Sequence, residues 1–285
     1  YLVKKIKSYS KINLFLKVTG KFQGYHKLYS LIAQLNFYDE LLIKENNQNK
    51  DNIFFIRKFK IKNQNNTVIK LLNLMKNKFV ILKNRNFDIF INKNIPNGSG
   101  LGGASSNATA VFNFLKNKYN LKISNKKSRD LLSQIGKDCP LFLDQKVKLI
   151  KSSGEKFIEF KDKLKLQVLL IYPNLNLSTK MVFNKLKKTS NISFKKSINL
   201  KNKRKLLEVC KYYGNDLINP ALKIKPKLKT IINLIDNIGD SNFFSMTGSG
   251  SAFFLIFDKK KSLLNVQKMI KKQRNSFWTK IVQTV

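Results

Sequence analysis

The residues best suited to chemistry lie in one stretch, Ile95 to Ala108, which reads I-P-N-G-S-G-L-G-G-A-S-S-N-A. Gly98, Gly100, Gly102 and Gly103 carry no Cβ, so this backbone can take positive φ and approach a ligand closely. The stretch joins a strand pattern, the alternating Phe87, Ile89 and Ile91, to a helix pattern. In the latter, Ala108, Val111, Phe112, Leu115 and Tyr119 recur at steps of three and four, which predicts a helix from about Ala104 to Tyr119. Amide groups at such a helix start converge where the helix dipole is positive, and that favours a di- or triphosphate. Ser105 and Ser106 add two hydroxyls able to reach phosphate oxygens or a metal ion. No Lys follows the glycines, so this is not the G-x-x-x-x-G-K-[ST] loop. No acidic residue ends a suitable second strand, so a dinucleotide fingerprint is a poor match. A plain glycine turn is the weaker alternative.

Other residues add to this. Asp138, in Asp138-Cys139-Pro140, reads on residues alone either as an N-cap before Pro140 or as a general base. Lys11 lies on a strand pattern opposite the apolar stripe of Ile12 and Leu14; the alternative is one more surface lysine. His26 is the single histidine, which excludes a Ser-His-Asp triad and any multi-histidine metal site. A second glycine cluster, Thr247-Gly248-Ser249-Gly250-Ser251, precedes a strand and is weak alone. Cys139 and Cys210 make neither a disulfide framework nor a CxxC metal spacing, so a reducing compartment, the bacterial cytoplasm, is expected.

Several elements position these groups. Residues 12–18 alternate as a strand, Gly20 and Gly24 bracket a turn, and Leu28 to Ile43 could be two strands. Phe54 to Lys62 reads as strand, and Val68, Leu71, Leu72 and Met75 place a helix over Thr67 to Lys78. A short helix over Ser128 to Ile135 is stopped by Gly136. Gln167 to Tyr172 and Phe253 to Phe257 are buried-type strands, and residues 185–205 read as a basic loop with a short helix. A boundary near residue 150 divides the chain into 1–150 and 151–285.

The chain has 285 residues, 42% of them hydrophobic, which excludes intrinsic disorder in spite of a net charge of +40. No apolar run approaches the roughly 20 residues of a membrane span, so no membrane partner is expected. The opening YLVKKIK is not read as a secretory signal, and Tyr1 in place of Met implies a missing initiator or truncated start. The charge invites a nucleic-acid reading. Only five arginines are present (57, 85, 129, 204 and 274), and lysines are spread throughout, alongside heavy use of Asn, Ile and Phe. That pattern resembles coding bias more than a binding face, so no specific nucleic-acid partner is expected.

Pro96-Asn97-Gly98-Ser99-Gly100-Leu101-Gly102-Gly103-Ala104-Ser105-Ser106 resembles the phosphate loop of the GHMP kinases. Ser10 to Leu16, Gly24-Tyr25-His26, Gly136 to Phe142 and Thr247 to Ser251 are similar to further motifs of one branch of that family, in the same order. The resemblance implies an α/β (α+β) two-lobed GHMP-kinase fold, with an N-terminal lobe of the ribosomal-protein-S5-like type carrying loop and base. A smaller C-terminal lobe would carry substrate stacking and the third glycine motif. It implies transfer of phosphate from ATP with Mg²⁺ to the 2-hydroxyl of a small-molecule substrate, a cytidine diphosphate methylerythritol, by a monomer or weak homodimer. Residues 96–106 would bind ATP, with Lys93 and Asn66 as candidates for the nucleotide end and Ser105 or Ser106 for the metal. Asp138 would be the base and Lys11 its cationic neighbour. Asn13, Tyr25, His26, Phe183, Gly248, Ser249 and Gly250 would bind the substrate; the alternative for Phe183 is a core position. Gln23, Ser99, Ala104 and Lys137 depart from the family pattern. Another GHMP kinase, for example one for homoserine, is the rival reading, and it has no need of Tyr25, His26 and Phe183. A non-enzymatic nucleic-acid binder is the third.

Overall fold

The computed structural model describes residues 4–22, 24–56, 66–151, 157–190 and 197–285. The chain is mixed α/β and forms two compact units, each assembled from three segments. The first comprises Tyr1–Ser10, Phe37–Ile95 and Gly102–Asp144, and the second Lys11–Asn36, Pro96–Leu101 and Gln145–Val285. Two long strands, β1 (Lys4–Phe22) and β2 (Tyr25–Asn46), contribute to both.

In the first unit the far half of β2 pairs antiparallel with β4 (Asn86–Asn92), Leu41 opposite Ile91 and Ile43 opposite Ile89. β3 (Asn52–Phe55) pairs parallel to the other edge of β4. The alternation in β4 buries Phe87, Ile89 and Ile91 on one face. Against them pack α1 (Thr67–Lys78), α2 (Gly103–Lys118) and α3 (Asn125–Ile135), through Val68, Leu71, Met75, Val111, Phe112, Leu115 and Leu132. Each such side chain, fully buried, stabilises by roughly 1.5–3 kcal/mol. α1 begins where expected because the Asn66 side chain accepts a bond from Val68 N.

In the second unit β5 (Lys148–Ile150) pairs with the near half of β2 and with β6 (Phe157–Glu159). A four-stranded antiparallel sheet has the order β10–β7–β9–β8, with β7 at Gln167–Tyr172, β8 at Phe243–Met246, β9 at Phe253–Phe257 and β10 at Trp278–Gln283. β9 is buried at every position, which is why its sequence is an unbroken apolar run. Helices α4 (Thr179–Asn184), α5 (Lys203–Tyr213), α6 (Ile218–Ile224), α7 (Lys229–Ile238) and α8 (Lys260–Gln273) complete the unit. None of the described helices is long and apolar enough to cross a membrane.

Some expectations are corrected. Leu28 to Ile43 is one unbroken strand, not two. Its polar interruptions are accommodated: the Asn36 side chain accepts a bond from Gln283 N at 2.7 Å, and Gln34 O accepts one from Val285 N at 3.1 Å. β1 continues through Gly20 to Phe22, leaving the turn at Gly24. α3 begins at Asn125 rather than Ser128, and it stops at Gly136 as expected, in extended backbone (φ −177°). The strand read from Phe54 ends at Phe55, and its continuation beyond Ile56 lies outside the described residues. Gln23 also lies outside them.

Candidate functional site

In the second unit, residues Pro96–Leu101 lie against the turn between β8 and β9. Ala252 N donates to Ser99 O at 3.0 Å, and Thr247 Oγ1 lies 3.3 Å from Gly100 O. Gly100 has φ +79°, and a Cβ there would stand 2.3 Å from Thr247 O, so only glycine fits. The Ser99 hydroxyl turns back to Pro96 O at 2.6 Å, and the Tyr172 hydroxyl lies 3.0 Å from Asn97 O. The Asn176 side chain packs on Gly98.

The same turn meets β1. Lys11 N donates to Leu101 O at 2.9 Å and Asn13 N to Thr247 Oγ1 at 3.2 Å. Lys11, only 3% exposed, donates from Nζ to Asn13 Oδ1 at 2.6 Å, while Asn13 Nδ2 donates to Ser30 Oγ. A Cβ on Gly248 would lie 3.3 Å from Lys11 Nζ, 3.4 Å from Asn13 Oδ1 and 3.5 Å from Gly100 O. Lys11 is therefore an interior cation beside glycine backbone, not a surface lysine. Ser249 is buried, its hydroxyl 3.0 Å from that of Thr179 at the start of α4. Gly250 is packed by Met246 and Leu177.

His26 and Phe183, on β2 and α4, stack on one another with centroids 4.6 Å apart. The His26 Nε2 atom is buried without a partner among the described residues. Burial, with the Lys21 charge adding to it, pulls the His26 imidazole below its ordinary pKa. Tyr25 is exposed beside it in sequence.

The first unit holds the helix start. Gly102, at φ +79°, caps α2 without a side chain, and no acidic residue occupies the first turn. The leading amide groups of this 16-residue helix thus keep their affinity for an anion. Ala104 is exposed, and its carbonyl accepts from Thr67 Oγ1 at 3.0 Å. The two serines diverge. Ser106 is buried, its hydroxyl accepting from Ser8 at 2.7 Å, whereas Ser105 lies near Gly136 and Cys139. A Cβ on Gly136 would meet Cys139 Sγ at 3.3 Å and Ser105 Oγ at 3.8 Å, so the turn bearing Asp138 sits on the first turn of α2. Asp138 precedes the 3-10 turn Cys139–Phe142, but its carboxylate makes no capping bond to it. Burial pushes the Cys139 thiol up to about 12, so it is no nucleophile.

Lys93 is 3% exposed and pairs with Asp39, whose other oxygen accepts from the amides of Asn94 and Ile95 at 2.8 Å each. Its Nζ lies 3.0 Å from where a Gly103 Cβ would be. Asn66 caps α1, and its Nδ2 is buried without a partner among the described residues. Sequence reasoning missed Asn215, which bonds the Met246 and Gly248 carbonyls, and the Tyr172–Asn176 contact under the loop.

Residues 66–144 match the family model for the GHMP kinases N terminal domain. A 4-diphosphocytidyl-2-C-methyl-D-erythritol kinase of Pelagibacter ubique is 35% identical over 277 residues, 96% of each chain. The enzyme of the same name from Wigglesworthia glossinidia brevipalpis is 35% identical over 258 residues, 87% of this chain and 79% of its own. Among solved structures, a 4-(cytidine 5'-diphospho)-2C-methyl-D-erythritol kinase superposes with a TM-score of 0.77 at 22% identity, covering 99% of this chain and 100% of that one.

Proposed function

We infer the chemistry from one premise: the chain belongs to the 4-diphosphocytidyl-2-C-methyl-D-erythritol kinases, a branch of the GHMP kinases. It is an ATP-dependent kinase of the non-mevalonate route to isopentenyl diphosphate, phosphorylating the 2-hydroxyl of 4-diphosphocytidyl-2-C-methyl-D-erythritol. Such a transfer needs positioning and charge neutralisation more than covalent chemistry.

Asp138 accepts the proton of the acceptor hydroxyl as the new O–P bond forms. The observation that carries this role is the seat of its turn on the first turn of α2, with the carboxylate not used as a cap. Residues Pro96–Ser106 cradle the triphosphate through backbone amides. Lys11 supplies positive charge toward the transferring group, from a position fixed by Asn13 and Gly248. Tyr25, His26 and Phe183 hold the cytosine, and the unpartnered His26 Nε2 is the atom suited to its polar edge. Lys93, whose ammonium lies 3.0 Å from where a Gly103 Cβ would be, and Asn66, which caps α1, are our candidates for the nucleotide end.

No cluster of three His, Cys, Asp or Glu exists among the described residues. That donor set fits a Mg²⁺ ion carried by the triphosphate rather than one caged by protein. When bound, Mg²⁺ supplies charge neutralisation on the β- and γ-phosphates. Ser105 is the hydroxyl that would touch it, since that of Ser106 is engaged by Ser8.

ADP release measured in parallel with the cytidyl methylerythritol substrate, homoserine and mevalonate is expected with the first alone. Asp138→Asn is expected to lower kcat at least about a hundredfold with little change in either KM. A near-normal kcat removes Asp138 from its role.

A further inference from the structure

Asn215 lies outside every motif considered so far, in the loop between α5 and α6 of the second unit. Its Nδ2 donates to Met246 O at 2.7 Å and to Gly248 O at 2.9 Å, so one amide group grips the carbonyls on both sides of Thr247. The Thr247 hydroxyl in turn lies 3.2 Å from Asn13 N and 3.3 Å from Gly100 O. The Lys11 ammonium stands beside Gly248 and is held by Asn13. Asn215 is itself fixed. Its Oδ1 accepts from Leu217 N at 2.9 Å, and the neighbouring backbone bonds Leu16 of β1, through Leu16 N to Gly214 O at 2.8 Å and Asp216 N to Leu16 O at 2.9 Å. Asp216 adds a bond from Val18 N at 2.8 Å. The strand carrying Lys11 and Asn13 and the turn carrying Gly248 are therefore both fastened to one tripeptide, Gly214–Asp216.

The geometry points to Asn215 as a positioning residue for phosphoryl transfer: by clamping the Thr247 turn it sets the spacing between the phosphate loop at Gly100 and the Lys11–Asn13 pair. This rests on the roles given above to Lys11 and the loop. Asn215 itself is assigned no contact with ATP or substrate, so its loss acts by displacing the turn and the groups set by it. Displacement of reacting groups by about 1 Å costs on the order of a hundredfold in rate.

The two halves of the side chain allow a clean test. Asn215→Asp keeps the oxygen that accepts from Leu217 N and removes the donors to Met246 and Gly248. Asn215→Ser keeps a hydroxyl oxygen for Leu217 N on a neutral side chain too short to span both the Met246 and Gly248 carbonyls, and decides the matter if the aspartate variant does not fold. Steady-state kinetics with ATP and the cytidyl methylerythritol substrate, beside thermal melts, is the measurement. The expected result is a kcat lowered about ten- to a hundredfold, with both KM values within about threefold. Combined with Thr247→Val, the loss is expected to be less than the product of the separate losses, because both variants act through one turn. A kcat within twofold of the native value with a lowered melting temperature overturns the proposal. So does a raised KM at unchanged kcat, or full multiplicativity with Thr247→Val. Absence of turnover in the native protein on this substrate would instead strike the kinase reading itself.

Discussion

Lys93 of the first unit and Lys11 of the second are equally buried, at 3% exposure each, yet their surroundings differ in kind. Lys93 is neutralised by Asp39, itself 0% exposed, whose second oxygen takes two backbone amides. That is a closed network holding the chain that leads into the glycine loop. Lys11 donates to the Asn13 amide oxygen and stands beside the backbone of the Gly248 turn. Burial alone therefore does not tell what an interior lysine does; the segments around the ammonium, the entry to the glycine loop for Lys93 and the Gly248 turn for Lys11, do.

The contrast can be broken most sharply at Lys93. Lys93→Met leaves Asp39 charged and buried, and is expected to cost about 3–5 kcal/mol in urea unfolding. The double variant with Asp39→Leu should recover much of that, and failure to recover would deny that the pair is a closed unit. Next, Lys11→Met is expected to lower kcat about a hundredfold, or about 2.7 kcal/mol, while the melting temperature shifts far less than in the Lys93 variant. Equal losses of stability in the two would erase the distinction. A smaller effect is expected at the aromatic pair. Phe183→Ala should raise KM for the cytidyl substrate by up to about tenfold and leave KM for ATP unchanged; equal effects on both would count against base stacking.

The smallest effect concerns His26. Its folded pKa lies below the ordinary 6.5 because burial and Lys21 disfavour the cation. The unfolded ring therefore takes up a proton at higher pH than the folded one. The stability that accompanies the neutral ring is present above about 6.5 and is lost as pH falls from there toward the folded value. KM for the cytidyl substrate, measured from about pH 5.5 to 8, should be flat on the neutral side and rise only on the acid side. A rise toward alkaline pH would mean that the cation, not the neutral ring, meets the base.

Much of this was legible in the residues, for stated reasons. Helical spacing located α1, and continuous apolar runs located β7 and β9, which are buried along nearly all their length. The glycine loop was legible because its glycines serve backbone geometry, as Gly100 against Thr247 makes plain. What stayed hidden depended on distant partners. Asp39 meets Lys93 across 54 positions, and Asn215 meets Gly248 across 33. Neither residue type announces such a role, and an Asn ahead of a helix reads as an ordinary turn former. β2 was read as two pieces because its polar residues looked like breaks, whereas Asn36 is satisfied by the chain's last strand. The helices α7 and α8 went unread although Ile231, Leu234 and Ile235, and Leu263, Val266 and Ile270, are spaced at three and four. In α8 interleaved lysines dilute the stripe without removing it.

The two cysteines carry a practical corollary. Cys139 and Cys210 are both fully enclosed, and burial lifts each thiol to about 12, so almost no thiolate forms near neutrality. Alkylating dyes should pass the native protein by. A single cysteine introduced at the exposed Met181 of α4 would then be labelled without background, giving a fluorescent reporter of how this helix responds when substrate arrives.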